Sequence, residues 1–112
     1  MQEHIQNELA SFIANCDWEK IAPHFKEDAA YRVLDWIGCA VAGEHYPQVE
    51  IAQKYFIENG DQGNSTVIGH QTKCSPRTAA FLNGIAGHVC ELDDGHRTAI
   101  GHPGSIAVPT AL

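Results

Sequence analysis

The sequence predicts an all-α fold with one short extended segment near residues 65–68. Three observations carry that prediction. Apolar residues recur at i, i+3 and i+4 along most of the chain. Helix start signals, Asp17, Pro47 and Ser75-Pro76, stand ahead of the later stretches. The β-prone core Ser65 to Ile68 lies alone between Gly-rich turns and is too short for a sheet of its own.

The first helix is expected over residues 3–15, with Ile5, Leu9, Phe12 and Ile13 on one face. Asp17 suits the cap of a short turn that carries Trp18 and Ile21 up to Pro23. A longer helix is expected from Phe25 to Ala42. Its apolar positions are Ala29, Ala30, Val33, Leu34, Ile37 and Val41, and Gly43 supplies the stop. Another begins at Pro47, carries Ile51, Ala52, Tyr55 and Phe56, and ends at Asn59-Gly60. After the extended segment, Ser75-Pro76 opens the helix "RTAAFLNGIAGHVC", whose small residues permit close approach to neighbours. Pro103 is placed to start a last helix, "SIAVPTAL", which carries no stop signal. The 112 residues therefore read as a single partial domain, cut within its final helix.

Composition narrows the functional classes. Acidic residues outnumber basic ones 14 to 7, the formal charge is −7, and no run of Lys or Arg occurs. A nucleic-acid or anionic-membrane surface is therefore not expected. The longest apolar run, Trp36 to Gly43, falls far short of the roughly 20 residues that cross a bilayer. Cys16, Cys39, Cys74 and Cys90 show no CxxC spacing and read as free thiols of a cytoplasmic protein, Cys39 as a buried small side chain.

The chemistry concentrates in "CELDDGHRTAIGHPGS", residues 90–105. Three readings of it compete. It can be a solvated loop, with acids near helix ends and glycines in turns. It can be a metal site, since His88, Cys90, Asp93, Asp94, His96 and His102 are all potential ligands, although their spacing matches no established pattern. It can also be part of an active site that handles a proton. For that third reading, Pro103 would leave the backbone N–H groups of Gly104, Ser105 and Ile106 unpaired at a helix N-terminus, a natural anion site. His102 sits at that terminus, where the dipole disfavours a further positive charge, and a neutral imidazole beside a bound anion is what a general base requires. His96 and Arg97 would add positive potential for an acidic substrate, and His88, near a helix end, would act through stability.

The segments "LASFI" at 9–13, "RVLDWIGCAVAG" at 32–43, "STVIGHQTKCSPRTAAFLNGIAGHVCELDD" at 65–94 and "HPGSIAVPTAL" at 102–112 carry a resemblance. In this order they resemble the N-terminal part of the MmgE/PrpD family, which includes 2-methylcitrate dehydratase and cis-aconitate decarboxylase. The resemblance implies the helical domain of a cofactor-free lyase, without its smaller α+β lid domain. It also implies a homodimer that binds small polycarboxylates between the domains. The reaction would be proton abstraction next to a carboxylate, followed by loss of water or carbon dioxide or by reprotonation. His102 matches the family's active-site histidine. Asp93 and Asp94 match its paired aspartates, and Glu91 an acid that is often Asp. Gly95 stands where members commonly have Thr, and one extra residue lies between the acids and His102.

The expected catalytic set is thus His102, Glu91, Asp93 and Asp94, with His96, Arg97, Gly104 and Ser105 holding substrate, no metal and no cofactor. A non-catalytic helical interaction module and a metal-binding loop are the alternatives.

Overall fold

The helices expected at Pro47 and at Ser75-Pro76 open where their sequence signals stand. The computed structural model describes residues 2–71 and 73–112. Among them run α1 (Gln2–Ala14), α2 (Pro23–Gly43), α3 (Pro47–Glu58), α4 (Pro76–His88) and α5 (Gly104–Ala111). A 3-10 turn covers Trp18–Lys20, and β1 (Ser65–Thr66) pairs antiparallel with β2 (Lys73–Cys74). The fold is mostly α, as expected. None of the helices is long and apolar enough to cross a membrane among the described residues.

The local signals work through identifiable bonds. Asp17 caps the 3-10 turn, its carboxylate accepting from Glu19 N at 3.1 Å. Ser75 caps α4, its hydroxyl accepting from Thr78 N at 3.3 Å. Pro23 and Pro47 each sit in the first turn of their helices, where the missing N–H costs nothing. This moves the start of α2 ahead of the expected Phe25. Gly60 takes φ 74 just beyond α3, the left-handed conformation that ends many helices. The extended segment finds a partner that its own sequence does not announce: Ser65 faces Cys74, and Thr66 faces Lys73. Buried Asn83 of α4 fastens the ladder, accepting from Ile68 N at 2.8 Å and donating to Thr66 O at 3.0 Å.

The core forms where α2, α3 and α5 pack on α4. Trp36, Ala40, Val49 and Ala86 make one buried cluster, and Val67, Cys74, Ala79 and Leu82 the other. Two expectations about faces need correction. The buried stripe of α2 is Trp36, Cys39, Ala40 and Gly43, whereas Ala29, Ala30, Leu34 and Val41 are exposed. The reason is α4's small-residue surface, where Gly87 leaves room for the Trp36 ring and Ala86 lets Gly43 approach closely. A Cβ on Gly43 would run into the Ala86 carbonyl, so this glycine serves close approach, not helix termination. The apolar face of α1 is also exposed, Phe12 at 67% and Ile5 at 64%. With α1 standing off, the radius of gyration is 16.3 Å, against about 13 Å for a compact domain of this length.

Candidate active site

The segment from Val89 to Pro103 joins two helices that already touch, α4 and α5, so it must turn back within a few residues. Glu91 makes that possible with φ 50, and Ile100 repeats the conformation at the far end. An isolated bridge between His96 and Gly101 folds residues 96–101 into a tight loop, His96 N donating to Gly101 O at 2.9 Å. Between these turns, Asp93 and Asp94 point to different partners.

Asp93 is the centre of the site. Its carboxylate is fully buried, with a side-chain exposure of 0%. His88 Nδ1, at the last residue of α4, lies 3.1 Å from Oδ1 and 3.2 Å from Oδ2. The Ser105 hydroxyl, in the first turn of α5, donates to Oδ2 in a short hydrogen bond. His102 Nδ1 lies 3.3 Å from Oδ1. That approach is close but poorly aligned, and His102 Nδ1 is buried without a hydrogen-bond partner. The two imidazole rings sit 4.6 Å apart, tilted by 58°. Burial pushes the Asp93 carboxyl up, but the Ser105 and His88 hydrogen bonds outweigh burial and hold it below the ordinary aspartate value.

Asp94 has a separate task. Its Oδ1 accepts from Gly104 N at 2.9 Å and so caps α5. The expectation that Gly104 offers a free N–H to an anion is therefore corrected: the carboxylate two residues before His96 already occupies it. Pro103 takes the cap position, with Gly104 as the first helical residue, and Ile106 N is spent on Pro103 O at 3.2 Å. Glu91, His96 and Arg97 are exposed and do not border the Asp93 cluster. His96 Nδ1 accepts from Ala99 N at 3.0 Å, which holds its ring to its own loop. Gly95 has no neighbour within 4 Å of where a Cβ would stand, so space for a larger side chain exists there.

Both imidazoles and Ser105 border an open groove of about 730 Å³ between α4 and α5. Its other walls are largely apolar, including Phe81, Ile85, Val89, Ile106 and Pro109. The cluster thus borders the groove with two imidazoles, one of which, His88, is hydrogen-bonded to the buried carboxylate. Such an arrangement can take up or release a proton. It can also gather a cation, because His88, Asp93 and His102 each present a ligand atom within 4.8 Å of the others. Cys90, Asp94 and His96 do not join that group.

The family model described as the MmgE/PrpD N-terminal domain matches residues 7–112. The chain belongs to the MmgE/PrpD family. A cis-aconitate decarboxylase-like protein of Aspergillus oryzae is 31% identical to it over 106 residues, 95% of this chain. The chain spans 22% of the length of that relative. No solved structure gives a significant match. The MmgE/PrpD match runs through the whole candidate site, from α4 to α5.

Sequence reasoning reached His102, Asp93 and Ser105, which the structure brings together. His88, a possible metal ligand by sequence and otherwise expected to act through stability, makes the aligned hydrogen bond to Asp93, and its spacing of five residues from that carboxylate spans just the helix end and one turn. Trp36 is the residue that the sequence does not single out: its indole N–H donates to Ser105 Oγ at 3.3 Å. No local signal could reveal a contact between residues 69 positions apart.

Proposed function

We propose that this chain forms one wall of the active site of an MmgE/PrpD-type lyase that acts on small polycarboxylates. His102 exchanges a proton with the carbon next to a substrate carboxylate, and water or carbon dioxide then leaves. Asp93 places its negative charge beside the His102 imidazole, and His88 hydrogen-bonds the same carboxylate. The observation that carries this reading is the convergence of two imidazoles on one buried carboxylate beside an open groove. Family membership, and the description of the Aspergillus oryzae relative as cis-aconitate decarboxylase-like, support the reaction class. The described lining of the groove includes no Lys or Arg. Arg97 and His96, on the adjoining loop, are the cationic candidates this chain offers for the substrate's carboxylates.

The test is turnover of citrate-like acids by a full-length enzyme carrying this domain. His102→Asn should lower kcat on the order of 10²–10⁴-fold, the usual scale for loss of a general base. Arg97→Gln should chiefly raise KM. Near-normal turnover in a folded His102→Asn variant would overturn the assignment. Absence of turnover in the unsubstituted enzyme would favour a non-catalytic module. One observation favours a second reading, a metal centre: the His88, Asp93 and His102 donors lie close enough to share an ion.

A further inference from the structure

Trp36 and Ser105 form a second hydrogen-bonded arm on the Asp93 carboxylate, beside the one from His88. The chemistry of the three groups fixes where their protons lie. An indole N–H can only donate, and an ionised carboxylate can only accept. The Ser105 hydroxyl between them must therefore accept from Trp36 Nε1, 3.3 Å away, and donate its single proton to Asp93 Oδ2. The carboxylate's orientation is thereby set through Oδ2. His88 Nδ1 then sits 3.1 Å from Oδ1 and 3.2 Å from Oδ2, and His102 Nδ1 3.3 Å from Oδ1.

We propose that Ser105 and Trp36 are positioning residues, forming a relay that locks the Asp93 carboxylate and so selects which nitrogen of the His88 imidazole carries the proton. The inference rests on the reading above, in which the imidazoles beside Asp93 handle a proton. A neutral His88 that bonds Asp93 must hold its proton on Nδ1, leaving Nε2 bare as a base. A carboxylate free to rotate holds that hydrogen bond only part of the time, and the preference weakens.

The relay's anchor is rigid. Trp36 is 2% exposed, in the middle of α2. Its indole lies flush on Gly87 of α4, where a Cβ would stand 2.5 Å from the ring atoms. Nothing larger than glycine fits, so the ring is held by backbone on one side and by the core on the other. Ser105 belongs to α5, His88 to α4, and Asp93 to the segment between them. Four parts of the fold thus meet in a single file of hydrogen bonds, and every donor in it has an acceptor.

The experiment is imidazole ¹⁵N NMR on this chain, at a pH where the imidazoles are neutral, comparing it with Ser105→Ala and Trp36→Phe. Trp36→Phe keeps an aromatic ring and loses the N–H; Ser105→Ala loses one oxygen. In the unsubstituted chain, His88 should show the tautomer protonated on Nδ1. Each variant should shift its tautomer ratio towards Nε2–H by about tenfold or more, the scale set by a lost hydrogen bond to a charged group. Loss of packing alone would lower stability without redistributing that proton. A ratio equal to that of the unsubstituted chain in either folded variant overturns the relay. Should Trp36→Phe not fold, Ser105→Ala carries the test alone. Adding citrate to the same samples reads the proposed function separately: the ligand-free ratio judges the relay, and the response of the His102 signals to citrate judges acid binding.

Discussion

Asp93→Asn alters one atom of the side chain and removes one buried charge, so its effect isolates what that charge does. In the native site the carboxylate accepts from Ser105 and from His88 Nδ1. An amide can still accept from the histidine through its oxygen, but its nitrogen then faces the Ser105 hydroxyl. That hydroxyl already receives the Trp36 N–H, so its own proton loses its acceptor. One charge-assisted hydrogen bond is lost and another becomes neutral. A hydrogen bond to a charged group contributes about 1.5–3 kcal/mol, and relief of the buried charge offsets part of the loss, leaving a destabilisation of about 2 kcal/mol at pH 7. At this chain length that lowers Tm by about 8 °C. The pH dependence has a definite sign. Folding holds the Asp93 carboxyl below its unfolded value, so its charge contributes stability above the unfolded pKa and loses that contribution as pH falls through the folded one. The gap between the two proteins should therefore be widest near neutrality and narrow below about pH 4. The unsubstituted chain's acid limb persists in part in the variant, because Asp61 is also held low, by the Ser75 N–H it accepts. Urea unfolding followed by circular dichroism at pH 7 and at pH 3.5 measures both gaps. Equal stability at pH 7, or a gap unchanged in acid, refutes the reasoning.

Three further outcomes are expected. Gly87→Ala should lower stability by about 1–3 kcal/mol in urea unfolding and change Trp36 fluorescence, since the new methyl has no space against the indole; unaltered emission would contradict the close approach. Ile100→Gly should raise stability by about 1 kcal/mol, because a β-branched residue at φ 50, 91% exposed, carries strain without compensating burial; a lower urea midpoint would argue against that strain. Low-micromolar zinc should leave Tm unchanged, and a chelator likewise, since no metal-binding energy is linked to folding in the proton-handling reading. A rise of several degrees with zinc would shift preference to a His88–Asp93–His102 metal centre.

What the sequence made legible follows from the range of each interaction. Asp17, Ser75 and Gly60 act within three residues, and their caps stand where the letters place them. The faces of α1 and α2 were harder, because periodicity reveals an apolar stripe without naming what covers it. Leu34 and Val41 satisfy the helical period and remain exposed, while Cys39, Ala40 and Gly43 are buried on the side where α4's small residues allow close approach. At the candidate site, the density of titratable groups marked the segment correctly. It could not assign partners: adjacent Asp93 and Asp94 read alike, and only the fold sends one to His88 and the other to Gly104. Trp36 escaped because its role depends on a contact across helices, and the bond from His88 to Asp93 because a helix-end position does not name its partner.

Asp94's bond to Gly104 closes a ring of chain around residues 95–103, and the His96–Gly101 bridge cinches it a second time. Arg97 to Ile100 hang outside both closures, fully exposed. A ring tied at its neck can lengthen at its tip with little effect on what the neck holds, and each added residue costs only a small increment of closure entropy. The ring gives the chain a site of permitted growth beside its most constrained carboxylate, where insertions can remodel the rim of the groove while His88, Asp93 and Ser105 keep their register.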